Sequence, residues 1–392
     1  MIERTLGREL KQLAGKFPIV TLTGPRQSGK TTLCRATFPD KEYVSLEAPD
    51  VREYALRDPR GLLADYAAGA VFDEVQRAPE LLSYLQTEVD QRPRKGRFIL
   101  TGSANFSLLQ SVSQSLAGRT ALLQLLPLSL AEVRKFANAP DDLSGVLWSG
   151  AYPALYDRGL QPSEWFGAYV GTYVERDVRQ LLNVTDLIAF QTFLRLCAGR
   201  SGQLLNASSL GSDAGITHNT ARAWLSVLEA SYIAFRLPPL HANLSKRLVK
   251  TPKLHFYDTG LLCFLLGISK PEQLREHPLR GHIFESWVVA EIIKARANRG
   301  LTANLSFYRD RKGVEVDAIV ERGAEILAVE TKSARTVADD FFVGLRAFRG
   351  AITAGKRPPR IKSMVIYAGD QPQSRTEAAV IPWNRIGEID WA

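Results

Sequence analysis

The stretch Gly24-Pro25-Arg26-Gln27-Ser28-Gly29-Lys30-Thr31 fits G-x-x-x-x-G-K-[ST] at every fixed position. Its neighbours fit as well. The β-branched apolar run Pro18-Ile19-Val20-Thr21-Leu22-Thr23 precedes it and reads as a buried strand. The residues from Thr31 and Thr32 through Ala36 follow as a first helical turn. A loop between strand and helix aims successive backbone N–H groups at one point, and the helix dipole adds partial positive charge there. Gly24 and Gly29 permit a backbone approach that a Cβ would block. Lys30 reaches toward β/γ-phosphates, and the Thr31 hydroxyl can ligate Mg²⁺. The expected ligands are therefore ATP and Mg²⁺, with Gly24 to Thr32 as the cradle.

At 392 residues, 45% of them apolar, the chain is long enough for two or three domains with real cores. No apolar run approaches the roughly 18 residues of a membrane span, and no apolar signal core follows Met1-Ile2-Glu3-Arg4, so no membrane partner is expected. Cys34, Cys197 and Cys263 lie far apart in apolar settings, which predicts buried free thiols in a reducing cytoplasm. A net charge of +9 suits a polyanionic partner such as DNA.

In chain order, Leu6, Leu10 and Leu13 recur at helical spacing within residues 1–16. Tyr43 to Leu46 reads as a second strand, and Ala48 to Asp65 as helical connections interrupted by Pro49 and Pro59. Ala70-Val71-Phe72-Asp73-Glu74 is a buried strand tipped with two carboxylates, where open α/β sheets place their sites. Asp73 is expected to hold Mg²⁺, and Glu74 to orient and polarise the attacking water. Arg97 to Asn105 is a third strand ending in small polar residues. Ser103 and Asn105 are candidates to sit beside the γ-phosphate, or else form a Gly-Ser-Asn turn. Arg119 reads either as an arginine finger on a neighbour's nucleotide, in a homo-oligomer, or as a structural salt-bridge residue.

The pattern turns helical from Ser163, with Trp165, Tyr169 and Tyr173 as a core stripe. Asn206 to Ile233 reads as helix-turn-helix. Thr217 caps a second helix that exposes His218, Asn219, Thr220 and Arg222, types that read grooves and contact phosphates. Lys246, Arg247, Lys250 and Lys253 lie behind it, and Lys253 to Asp258 is a strand that could serve as a wing. This predicts duplex DNA binding, or a winged helix used only for packing or protein contacts.

The last third pairs an amphipathic helix, Gly281 to Glu291, with strands Gly313 to Val320 and Ile326 to Lys332. Adjacent strands would set Asp317 beside Glu330, with Lys332 on the Glu330 face and Glu285 arriving from the helix. Two carboxylates can hold Mg²⁺ and a lysine can orient water, the pattern of a metal-dependent nuclease. A degenerate nuclease domain kept for nucleic-acid binding or assembly has the same pattern. The expected fold class is α/β: a P-loop NTPase parallel sheet over 1–145, a helical and winged-helix part over 146–268, and a restriction-endonuclease-like part over 269–392.

The motifs GPRQSGKTTL (24–33), YVSLEAPD (43–50), VFDEVQRAPELL (71–82), LTGSANFSLL (100–109), SLAGR (115–119), SGAYPAL (149–155), YVERDV (173–178), YDTGLL (257–262) and GHIFESWVVAEI (281–292) span nearly the whole chain. With the EVDAIV and AVETKS pair, they make it resemble the prokaryotic P-loop ATPases of the AAA+/STAND-like group that carry a C-terminal domain of unknown function. The resemblance implies an N-terminal ATPase core, a winged-helix middle and a restriction-endonuclease-like C-terminal domain. Ser28 stands where that family often has an aliphatic residue.

Overall fold

A computed structural model describes residues 2–103, 112, 115–174, 186–240, 249–353 and 359–392. The chain divides into two compact units. One comprises Met1–Pro127 with Ala230–Tyr232 and Ala297–Leu301; the other comprises Leu128–Glu229, Ile233–Arg296 and Thr302–Ala392.

The first unit is built on five strands: β1 (Ile19–Gly24), β2 (Glu42–Ser45), β3 (Ala70–Asp73), β4 (Phe98–Ser103) and β5 (Thr120–Gln124). They form a parallel sheet in the order β2-β3-β4-β1-β5. The central strands β1, β3 and β4 are buried along their whole length, while the edge strands β2 and β5 are buried only in part. Ile19, Phe72, Phe98 and Leu100 face one core with Leu81, Leu82 and Leu85. Val20, Leu22, Val71 and Ile99 face the other, with Leu6, Leu10 and Leu33. The helical spacing at the N-terminus thus becomes the helix Leu6–Ala14, whose Leu6 and Leu10 are fully buried. Pro49 and Pro59 do not interrupt helices, as their positions in the sequence suggested. They begin them, at Pro49–Arg57 and Pro59–Asp65, because a first-turn proline loses no hydrogen bond.

The second unit carries two sheets. The helix Leu187–Gly199 leads through β6 (Gln203–Leu204) to the helices Ala207–Asp213 and His218–Ala230. Asn206 caps the first of these two by accepting from Ser209 N at 3.0 Å, and Thr217 accepts from Thr220 N at 3.1 Å. β7 (Ala234–Leu237) and β8 (Lys253–Phe256) follow, giving an antiparallel sheet in the order β6-β8-β7.

The larger sheet holds β9 (Leu305–Arg309), β10 (Glu315–Arg322), β11 (Glu325–Lys332), β12 (Arg360–Tyr367), β13 (Gln373–Ser374) and β14 (Ala379–Pro382). Its order is β13-β14-β12-β11-β10-β9. The pairs β11–β12 and β12–β14 are parallel and the others antiparallel. Leu345, Phe348 and Ile352 of the helix Val343–Thr353 pack on Val316, Ile319, Ala328 and Val365.

The helix Arg280–Ala297 is not the amphipathic helix expected. Its core-facing stripe, Ile283, Phe284, Trp287 and Val288, is buried, but so are Glu285, Glu291, Lys294 and Arg296. Those charges have partners inside the unit. Glu291 accepts from Leu130 N at 2.8 Å, and Lys294 donates to Leu128 O at 3.0 Å and to Glu291 at 2.9 Å. Buried charge is tolerated when it is paired and hydrogen-bonded. All three cysteines are buried free thiols. Among the described residues, no helix is long and apolar enough to cross a membrane.

Candidate functional site

Register brings the tips of three strands together. Gly24 pairs with Ser103 across β1–β4, and Phe72, just before Asp73, pairs with Leu100 across β3–β4. β4 therefore lies between the phosphate loop and the acidic tip, and its own polar residues reach the acidic side. The loop takes the backbone its sequence requires, with φ of 150° at Gly24, 62° at Gln27 and 90° at Gly29. A Cβ on Gly24 would stand 2.2 Å from the carbonyl oxygen of Leu125.

The Lys30 ammonium is buried and donates to Gly24 O at 3.1 Å and Pro25 O at 2.8 Å. Burial lowers its pKa, against the pull of Glu74 and Asp73. Among the described residues, the buried Ser28 hydroxyl finds no hydrogen-bond partner. A cradle lined with a desolvated ammonium fits a polyphosphate.

Asp73 accepts three hydroxyls. Thr31 donates to Oδ2 at 2.9 Å, Tyr43 also to Oδ2, and Thr101 to Oδ1. Thr31 and Asp73 thus form an oxygen donor pair at the mouth of the loop, the hard-ligand chemistry Mg²⁺ takes. Glu74 has left the strand, with φ of 56°. Its Oε2 accepts from Ser103 Oγ at 3.1 Å and from Gln76 Nε2, and Gln76 also donates to Ser103 at 3.0 Å. Of the two γ-phosphate candidates, Ser103 stands in this group, and Asn105 lies outside the described residues.

Sequence reading missed the partners that hold these acids. Tyr43 comes from the neighbouring strand β2, Thr101 from the Ser103 face of β4 two residues earlier, and Gln76 from the turn after Glu74. Only Thr101 had a signal, its period-two spacing from Ser103. Arg4 was missed without any signal. Its buried guanidinium donates to Ser28 O at 2.7 Å and Leu126 O at 2.8 Å, bracing the phosphate loop against the end of β5. Arg4→Met strips donors from two carbonyls. We expect it to lower stability by about 1–3 kcal/mol and to weaken ATP affinity, read by urea unfolding and by nucleotide titration.

The second unit assembles the other constellation. Asp317 Oδ2 accepts from Thr331 N at 2.8 Å and Thr331 Oγ1 at 2.7 Å. Lys332 donates to Glu330 Oε1 at 2.7 Å. Burial, then the charge of Asp317, pushes the Glu330 carboxyl up to about 9. Glu285 arrives from the helix Arg280–Ala297, and burial raises its pKa too, against the pull of Lys253. The four expected residues therefore meet. Two others join them. Glu315 stands two residues before Asp317 on β10, and ligand oxygens of Glu285, Glu315 and Asp317 lie within 4.8 Å of one another. Lys253 of β8 reaches in among them. It is 2% exposed, although it follows Lys246, Arg247 and Lys250 in a basic stretch of the sequence. The ring of Phe307 covers its ammonium, and the carboxylates make that burial tolerable.

Residues 16–134 match the family model described as an AAA domain, 140–272 a domain of unknown function (DUF8612), and 280–386 a second domain of unknown function (DUF4143). The uncharacterized proteins Rv2008c of Mycobacterium tuberculosis and Mb2031c of Mycobacterium bovis are each 31% identical over 335 residues, 85% of this chain and 74% of theirs. The chain belongs to their family. Its first unit is the family's P-loop ATPase domain, as the parallel sheet and phosphate loop require. Among solved structures, a Walker-type ATPase of Pyrococcus abyssi is similar at 15% identity and a TM-score of 0.43, covering 66% of this chain and 94% of that one. A STAND protein of Pyrococcus horikoshii gives 13% identity, a TM-score of 0.25 and coverage of 75% and 48%. Likenesses this weak carry no argument.

The remaining expected residues take these places in the family member. His218, Asn219 and Arg222 are exposed and Thr220 half-buried at the start of the helix His218–Ala230, and Lys250 is exposed. Lys246 and Arg247 lie outside the described residues, as do the residues following Val174 up to 185. Arg119 forms a two-pronged ion pair with Asp90, at 2.6 and 2.7 Å. It precedes β5 at the edge where Ile19 begins β1, so the length of β1, roughly 17 Å, separates it from its own phosphate loop.

Proposed function

We propose that the protein is a Mg²⁺-dependent ATPase that acts on DNA. The observation that carries the first half is the convergence of Lys30, Thr31, Asp73, Glu74 and Ser103 at three aligned strand tips. Gly24 to Thr32 would bind the phosphates of ATP. Thr31 and Asp73 would hold Mg²⁺, which when bound neutralises charge on the β- and γ-phosphates. Lys30 would exchange its loop carbonyls for phosphate oxygens. Glu74, oriented by Ser103 and Gln76, would align the attacking water and accept its proton. Arg119 is too far along β1 to serve its own nucleotide, which supports a role on a neighbour's in a homo-oligomer. That role requires it to leave Asp90.

DNA action rests on the second unit. The order helix, β6, helix, helix, β7, β8 supports a winged-helix reading, with His218, Asn219, Thr220, Arg222 and Lys250 as the contacting set. The mixed sheet with Asp317, Glu330 and Lys332 supports a nuclease-like reading. A second reading has its own support: the buried Lys253 inside the carboxylate cluster favours a nucleotide-controlled switch whose nuclease-like part does not cleave.

The test is the ATPase rate with and without duplex, single-stranded and branched DNA, beside Lys30→Ala. Stimulation by one DNA form, lost in the variant, is the expected result. ATP binding with slow turnover, indifferent to every DNA, would favour the switch. DNA affinity that falls steeply with salt would support phosphate contacts, and its absence at low salt would remove them.

A further inference from the structure

Lys253 is surrounded. Its Nζ stands 2.6 Å from Glu285 Oε1 and 3.7 Å from Asp317 Oδ1, and it contacts Glu315 as well. The ring of Phe307 covers another side, with its centroid 5.5 Å from the ammonium. Burial pulls the lysine toward neutrality, but Glu285, Asp317 and Glu315 together hold it firmly charged. These three acids are the ones whose oxygens are close enough to share a metal ion. Beside them, Glu330 is 7% exposed and, among the described residues, its Oε2 finds no hydrogen-bond partner. Two further cations stand against the cluster, Arg309 on Glu315 at 2.6 Å and Lys332 on Glu330 at 2.7 Å, and His282 Nδ1 lies 3.6 Å from Glu285. Beneath, His255 bonds Ser286 at 3.0 Å, and Ser286 bonds Ser201 at 2.8 Å.

An ammonium and a divalent ion cannot share that position. Three carboxylates gathered from a helix and a strand, with one oxygen each pointing inward, make a cation site whatever the cation is. A protein ammonium has the advantage of being tethered, so it needs no free ligand concentration to fill the site. The strand that carries it, β8, is held between β6 and β7.

We infer that Lys253 is the resident cation of the Glu285–Glu315–Asp317 cluster, filling the place a divalent metal would take, and that removing it turns the cluster into a divalent-cation site. The inference rests on the nuclease-like reading of this sheet and gives it a sense: with its metal position plugged, the wild-type domain is silent in phosphodiester cleavage.

The experiment is Mn²⁺ binding to the full chain without nucleotide, followed by electron paramagnetic resonance, for wild type, Asp317→Asn, Lys253→Ala and Lys253→Ala with Asp317→Asn. Wild type and Asp317→Asn should give the same weak binding. Lys253→Ala should gain a site roughly tenfold or more tighter, lost when Asp317→Asn is added. Mn²⁺ should also raise the melting temperature of Lys253→Ala and leave wild type unmoved. A wild-type Mn²⁺ site that disappears with Asp317→Asn would overturn the inference, and that arm decides even if Lys253→Ala does not fold. A folded Lys253→Ala with no new site would overturn it too. Supercoiled plasmid cleaved by wild type but not by Asp317→Asn would sink the silent assignment while leaving the nuclease-like reading standing. No cleavage, with Mn²⁺ gained in Lys253→Ala, is the result expected.

Discussion

Glu74→Gln should bind ATP within a few-fold of wild type and lose roughly 10²- to 10⁴-fold in turnover, the range a positioned general base contributes. The amide has the size and shape of the carboxylate. Its carbonyl oxygen can still accept from Ser103 Oγ, now 3.1 Å away, and from Gln76 Nε2. What it cannot do is take a proton from water. On the proposed reading, binding rests on Lys30, Thr31 and the loop backbone, none of which the substitution touches. The check is a nucleotide dissociation constant measured beside a single-turnover hydrolysis rate. Wild-type turnover in this variant would remove Glu74 from the chemistry, whatever its position. Loss of binding and turnover together would instead show that the Glu74–Ser103–Gln76 triangle shapes the phosphate loop.

Gly24→Ala should be among the most damaging substitutions in the first unit. The new Cβ would stand 2.2 Å from the Leu125 oxygen and 3.0 Å from its carbonyl carbon, contacts with backbone rather than a movable side chain. Leu125 cannot yield easily, because its N–H donates to Thr23 O at 2.8 Å in the sheet edge itself. A φ of 150° adds strain for any residue with a Cβ. We expect a loss of about 3 kcal/mol or more, in the range of overpacking at a special backbone position. The measurement is the midpoint of chemical unfolding. Gly199→Ala is the control: its Cβ would meet nothing within 4 Å, and it ends a helix. An alanine there should be neutral or gain up to about 1 kcal/mol. Equal midpoints for Gly24→Ala and wild type would mean that the loop and the end of β5 move apart more freely than their hydrogen bonding implies.

The first unit was legible because its signals are local. A phosphate loop is eight consecutive residues, and the acidic strand tip is announced by the apolar run before it. The order of strands was not legible. Nothing between Gly24 and Asp73 says that β4 will lie between them, yet that placement puts Thr101 on Asp73 and Ser103 on Glu74. In the second unit, Asp317, Glu330 and Lys332 could be read from two adjacent strands, and Glu285 from the helix before them. Lys253 could not. A lysine opening a strand near other basic residues reads as surface charge, and only the tertiary fold turns it inward. The helix Arg280–Ala297 misled in the same way. Charged residues on a helix look like a solvated face until partners such as Leu128 and Leu130 appear from far along the chain.

The cluster around Lys253 also bears on where this protein can be cut. Family boundaries fall between residues 272 and 280, with the lysine on one side and all its carboxylates on the other. A fragment ending at that seam would carry an ammonium whose counter-charges were left behind. A fragment beginning there would hold acids with no tethered cation among them. During synthesis the lysine leaves the ribosome first and waits for Glu315 and Asp317. Inheritance as two modules and folding as two modules are separate properties, and here one side chain joins what the family boundary divides.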